Sequence, residues 1–184
     1  VQEIISGTQS RYLDLCHSPH AYRSRDLSKH LKMLIYPCLG LYQSLCQAGI
    51  CNTRSIELVE ELSLRILVPY QTGMKWFGKL PFFYELLRVL TPWGMKKNFP
   101  AEGWDTEWIE LSNHMIAFNF HRCFYAMTLN SLGTPELTRV FCKMDYALYN
   151  DTSPHLDFER RNSLGTTGKP CDFRFRKVPK TYHK

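Results

Sequence analysis

Three thiols and one carboxylate are the residues best suited to chemistry in this sequence. Cys123 ends the run H-M-I-A-F-N-F-H-R-C, in which Ile116, Phe118 and Phe120 alternate with Met115, Ala117, Asn119 and His121. That period of two is the mark of a strand with one greasy face. The following F-Y-A-M-T-L-N-S-L-G reads as a helix stopped by Gly133. A thiol at a helix N-terminus meets the positive end of the helix dipole, which is expected to lower its pKa and favour the thiolate. His121, two residues earlier on the same expected face, would be its base or ion-pair partner. The plainer alternative for Cys123 is a small buried core residue. Cys142, Asp145 and Tyr149 recur at steps of three and four beside the stripe Leu137, Val140, Phe141, Met144 and Leu148, so they share one edge of a helix. A carboxylate bordering an apolar stripe needs a partner, either a reacting group or an arginine, for which Arg122 and Arg174 are the candidates. Cys171 opens the alternating C-D-F-R-F-R and would join the same site as a wall, with Arg174 offered to a substrate carboxylate.

The elements that must position these groups form a strand-helix-helix-strand-strand block over 114–178. Thr134 and Pro135 start its second helix, and L-D-F-E-R pairs with C-D-F-R-F-R as a hairpin whose loop is too long for a two-residue turn. The region 28–112 reads as mainly helical. Leu31, Leu34, Ile35, Cys38, Leu39, Tyr42, Leu45 and Cys46 mark one amphipathic helix, kinked at Pro37 and stopped by Gly49. Ile56, Val59, Leu62, Ile66 and Leu67 mark a second, capped by Thr53 or Ser55 and ended by Pro69. A third spans Trp76 to Leu90 with breaks at Gly78 and Pro81, and a loop is expected over 91–103 by its Pro and Gly content. Trp76, Phe83 and Trp93 are candidate pocket walls or lid, and Phe99 joins Trp93 as a cover for a pocket mouth. Residues 104–112 read as a short helix or the approach to a strand. Residues 1–25 read as an extended arm with at most a short helix from Ser10 to Cys16, in which His17 and His20 carry no chemistry. Residues 179–184 read as a basic tail. The sum is one α+β domain with N-terminal helices packed on a small antiparallel sheet.

The bulk numbers narrow the classes. A chain of 184 residues with 44% hydrophobic and 22% charged content is ordinary for one globular core, and 14% aromatic content suits a ring-lined cavity. The net charge of +6 clusters only in R-F-R-K-V-P-K-T-Y-H-K, without a nucleic-acid motif, so no nucleic-acid partner is expected while an acidic small molecule is compatible. Seven cysteines without framework spacing point to a reducing, cytoplasmic setting. The opening V-Q-E-I-I-S-G lacks a basic flank and apolar core, and no run of about 18 apolar residues occurs, so neither signal peptide nor membrane span is expected. A chain beginning at Val1 leaves a trimmed leader open, and a homo-oligomer is equally open. With no C-x-x-C pair, no metal is expected, and the absence of a glycine-rich phosphate loop, G-x-S-x-G or H-E-x-x-H predicts no cofactor.

Six short segments together resemble one family. Arg122-Cys123, Leu132-Gly133, Glu136-Leu137, the C-x-x-D of Cys142 and Asp145, F-E-R at 158–160, and G-x-x-C-D-F-R-F at 168–175 are similar to the L-2-amino-thiazoline-4-carboxylic acid hydrolases, strongly over the last third of the chain. The resemblance implies an α+β fold and hydrolytic opening of a C–N bond in a cyclic, amidine-like substrate. Two departures are Phe124, where a proline usually follows the cysteine, and the aromatic-rich middle segment, which suits a bigger and greasier metabolite. Three functions follow. The first is a small-molecule hydrolase with Cys123, His121 and Asp145 as catalytic groups and Asn119, Cys142, Tyr149, Cys171 and Arg174 around the substrate. The second is a cyclase or isomerase of secondary metabolism that works by positioning in an aromatic pocket. The third is a metabolite-binding module without chemistry.

Overall fold

The computed structural model describes residues 1–18 and 24–179. The alternation at 115–122 forms a central strand of a four-stranded antiparallel sheet. β1 (Asp105–Leu111) pairs with β2 (Met115–Arg122), β2 with β4 (Cys171–Lys177), and β4 with β3 (Leu156–Glu159), giving the order β1-β2-β4-β3. The register sets Phe118 against Phe173, Phe120 against Cys171 and Phe158 against Phe175. Because side chains alternate along each strand, these rings share one buried face, where Phe118 and Phe173 stack at 5.1 Å. Asn119, Asp172 and Arg174 occupy the other face. The stretch at 104–112 is thus resolved as the edge strand β1.

The helices are α1 (Gln2–Cys16), α2 (Arg25–His30), α3 (Tyr36–Gln47), α4 (Asn52–Gly78), α5 (Phe83–Asn98), α6 (Phe124–Ser131) and α7 (Thr138–Tyr149). The architecture is α+β, with N-terminal helices and C-terminal strands. The kink expected at Pro37 takes the form of a π-helical turn, Leu31–Ile35, joining α2 to α3. Proline lacks the N–H that an α-turn would use, and a wider turn just before it absorbs the loss. No helix of the described residues is long and apolar enough to cross a membrane.

Three readings of the sequence are corrected. The described part of the supposed arm is a 15-residue helix, α1, anchored to α3 by a hydrogen bond from Arg11 Nη1 to Ser44 Oγ at 2.9 Å and by close approach of Gly40 to the Thr8 carbonyl. It buries no residue fully, so its sequence carries no strong apolar stripe. His20 lies outside the described residues, as does the tail from Lys180 onward. Pro69 does not end the second helix, because α4 is held on both sides of the ring: Lys143 reaches Glu60 before it and Gln71 Nε2 donates to the Ala147 carbonyl at 2.8 Å after it. Nor is 91–103 a loop throughout. α5 runs through Pro92, fixed by buried Phe83 and Tyr84 on one side and Met95 on the other. Tertiary packing overrides the loss of one helical hydrogen bond in each case.

Gly78 ends α4 where the sequence marked a break. A Cβ there would stand 2.2 Å from the Thr152 carbonyl oxygen, and Ser153 Oγ already donates to the Gly78 carbonyl at 2.6 Å. Gly78→Ala is expected to lower stability by about 2 kcal/mol through overpacking, and the melting temperature by roughly 4–8 °C in a thermal scan.

Candidate functional site

Helices α5, α6 and α7 cover the aromatic face of the sheet and leave a cavity of about 40 Å³ between them. Cys123 enters it from the junction of β2 and α6, where its extended backbone (φ −132°, ψ 121°) precedes the first helical turn. Cys142, Asp145 and Tyr149 enter from one edge of α7, and Cys171 from the first residue of β4. Five of the residues singled out by sequence therefore converge. The space is enough for a few waters and far below the roughly 300–1,000 Å³ of small-molecule sites, so the structure shows the chamber closed.

The thiols are held neutral. Burial pushes Cys123 up to about 12, outweighing the backbone N–H groups of Ala126 and Tyr125 that favour its thiolate. The expected lowering by the helix end is thus reversed, because desolvation of a charged sulfur exceeds what one helix terminus supplies. Burial likewise raises Cys171 to about 11, against an amide hydrogen bond from Leu164 at 3.3 Å, and raises Cys142. Tyr149 is raised to about 12 by burial and by the charge of Asp145, so it remains an O–H donor.

Asp145 is the carboxylate of the chamber. Burial raises its pKa from 3.8 to about 6, opposed by Arg160. Its side chain lines the cavity and is 39% accessible, so the upward push comes from its walls and not from full enclosure. Arg160, 7% accessible, donates from Nη1 to Asp145 Oδ2 at 3.2 Å and from Nη2 to the Cys142 carbonyl, with its guanidinium 5.3 Å from the centre of the Phe173 ring. The partner of Asp145 is therefore Arg160 and neither Arg122 nor Arg174. Arg122 donates to the Ala101 carbonyl instead.

The structure separates several expected partners from the chamber. His121 Nε2 lies 2.7 Å from Glu107 Oε2 on the exposed face of the sheet. Asn119 Nδ2 donates to the same carboxylate at 2.9 Å, and Arg174 donates to Asn119 Oδ1 at 2.8 Å and to the Phe118 carbonyl at 3.0 Å. Strand alternation puts this network opposite the inward Phe118 and Phe120, while Cys123 lies past the strand end, where alternation no longer governs it. His121 is not in place to serve as its base, nor Asn119 and Arg174 to bind a substrate there. Trp76 and Trp93 are 65% and 62% exposed, and Phe83, although buried, does not line the cavity. Phe99, expected beside Trp93 at a pocket mouth, does line the cavity, and Trp104 and Tyr125 supply the further rings. Tyr125 had a signal in its position one residue into α6; Arg160 had one in the F-E-R segment. Among the described residues no group of three His, Cys, Asp or Glu side chains is arranged to hold a metal ion.

A family model described as L-2-amino-thiazoline-4-carboxylic acid hydrolase matches residues 70–175, which hold Cys123, Cys142, Asp145, Arg160 and Cys171. No curated protein matches the chain. Among solved structures, an Fe(II) unliganded H-NOX protein mutant from K. algicida aligns over 96% of this chain and 98% of its own, at 14% identity and a TM-score of 0.30, too distant a likeness to carry an argument.

Proposed function

This chain belongs to the L-2-amino-thiazoline-4-carboxylic acid hydrolase family, and from that membership we propose that it is a hydrolase opening a C–N bond of a small cyclic substrate, with Asp145 as proton carrier and Cys123 as nucleophile. The observation that carries this reading is the convergence of the Asp145 carboxyl and three thiols on one chamber, where burial raises the carboxyl to about 6. A base poised near neutrality both takes and returns a proton efficiently. Asp145 removes the Cys123 proton as sulfur bonds to the amidine-like carbon, and gives it to the ring nitrogen as the C–N bond breaks. Water then adds to the same carbon while Asp145 takes its proton, and Cys123 departs as the thiol with that proton restored. One water is consumed, and both residues return to their starting states. Arg160 holds the carboxylate in place, Tyr149 offers an O–H, and Cys142 and Cys171 are walls. The seven cysteines are free, which supports a reducing, cytoplasmic setting.

A second reading draws on the rings around the chamber and on thiols kept neutral: a cyclase or isomerase in which Asp145 moves a proton without a covalent intermediate. Cys123→Ala separates the two. On 2-amino-thiazoline-4-carboxylate and alkylated cyclic amidines, the hydrolase reading expects kcat to fall about a thousandfold, with Cys171→Ala staying within about tenfold of wild type. Product mass spectrometry should show the addition of one water. Full turnover by Cys123→Ala would remove the nucleophile role, and an unchanged product mass would favour isomerisation.

A further inference from the structure

On the other side of α7 lies a groove of about 770 Å³, walled by α4, α7 and the α2–α3 junction. Its volume is that of a small-molecule site, which the Asp145 chamber at about 40 Å³ is not. The wall between them is one side chain thick. Met144 and Leu148 face the groove, while their successors Asp145 and Tyr149 face the chamber. Asn98 borders the groove and Phe99 the chamber. Between these, His30 lines the groove and Tyr125 lines the chamber, joined by a 2.8 Å contact between His30 Nδ1 and the Tyr125 hydroxyl. His30 Nε2 lies 2.7 Å from the Asn98 carbonyl, an obligate acceptor, so Nε2 carries the proton. Burial keeps the ring neutral, and Nδ1 therefore accepts from the Tyr125 O–H.

We propose that this groove binds the apolar body of the substrate, whose reacting ring enters the Asp145 chamber when the His30–Tyr125 hydrogen bond opens. The inference rests on the hydrolase reading for the ring chemistry and extends it to a substrate class: a cyclic C–N head joined to a long or polycyclic apolar body. Three features favour that occupant. The groove walls are mostly Leu, Ile, Met, Pro and aromatic side chains, with Lys29, His30 and Asn98 as the polar ones and no carboxylate, so the site favours neutral or anionic molecules over cations. Met33, Ile66, Tyr70 and Phe77 on its walls are 50–71% exposed, apolar surface that folding leaves uncovered and a ligand would bury. The carboxyl and thiols lie directly across the partition, in a chamber that is too small for a ring while the His30–Tyr125 contact is closed.

Gly73 supplies the test. It lines the groove, and a Cβ there meets nothing within 4 Å, so Gly73→Phe fills the groove from a helical position that gains propensity on losing glycine. Anilinonaphthalene sulfonate and a 2-aminothiazoline bearing a decyl chain are the probes. Wild type is expected to bind both, and Gly73→Phe to weaken both at least tenfold. Tyr125→Phe, which removes the closing hydrogen bond, is expected to speed association of the decyl probe severalfold. Unchanged probe affinity in Gly73→Phe overturns the groove assignment, and an unchanged association rate in Tyr125→Phe overturns the gate. A wild-type dimer that Gly73→Phe converts to monomer in light scattering, without probe binding in either, assigns the groove to a second copy and also overturns the proposal. If Gly73→Phe loses probe binding while Cys123→Ala and Asp145→Asn retain turnover, the hydrolase reading fails and the groove assignment stands.

Discussion

Asp145→Asn is expected to lower kcat by about a thousandfold while leaving the fold intact, because it removes one proton-carrying group and little else. Asparagine has the same shape, and its Oδ1 still accepts from Arg160 Nη1, so the contact that ties α7 to the β3–β4 loop persists. On the hydrolase reading the carboxylate is the working form in wild type, so kcat/KM should rise with pH through about 6 and level above it. The stability profile should run the other way. A folded-state pKa of about 6 against the ordinary 3.8 means the folded chain binds this proton more tightly than the unfolded chain. Stability from this group is therefore gained as pH falls from about 6 toward 4, and its charged form is a burden above 6. Urea titrations at several pH values, taken as wild type minus Asp145→Asn, isolate that slope because the other titrating groups cancel. A variant with full turnover, or a difference curve flat across that window, would show that Asp145 is a structural carboxylate.

How much of this was legible in the chain depends on the range of the physics. The strands β2 and β4 follow from period-two alternation, and the shared edge of Cys142, Asp145 and Tyr149 follows from helical spacing, both local rules that packing left undisturbed. Cys123 was found for its position between strand and helix. Its face and its ionisation were not readable from that position, because the chain turns as β2 ends and because burial, a property of the assembled chamber, exceeds the helix-end effect. His121 shows the same limit: alternation extended by one residue too many pairs it with Cys123, whereas the sheet pairs it with Glu107 of the neighbouring strand. Arg160 follows β3 in a loop without periodicity, so only the folded chain brings it to Asp145. The prolines of α4 and α5 fail as helix stops for a related reason. The contacts on both sides of each ring reach residues outside the helix: Lys143 and Ala147 for α4, and Ser112, through Tyr84, and His30, through Asn98, for α5.

Arg160→Met is expected to destabilise the protein by roughly 2–3 kcal/mol and to move the acid limb of the pH–rate profile upward. Breaking a buried ion pair on one side costs about 3–5 kcal/mol because the remaining charge loses its partner, and the partial accessibility of Asp145 lowers that figure. The melting temperature should fall by roughly 5–10 °C. The kinetic effect has a definite sign. Arg160 is the group that holds the Asp145 pKa down against burial, so its removal drives that pKa further up and leaves less carboxylate at neutral pH. Activity lost at neutrality should then return in part at higher pH, a recovery that a merely loosened structure would not give. Arg160→Lys should restore the limb toward wild type, since it returns the charge, yet recover less stability, since one ammonium replaces the forked contact with Asp145 Oδ2 and the Cys142 carbonyl. In the double variant with Asp145→Asn the stability loss should shrink, because no carboxylate remains to be stranded. If Arg160→Met melts early but keeps the wild-type pH profile, Arg160 positions the chamber walls through Cys142 and Phe173 without setting the proton affinity of Asp145.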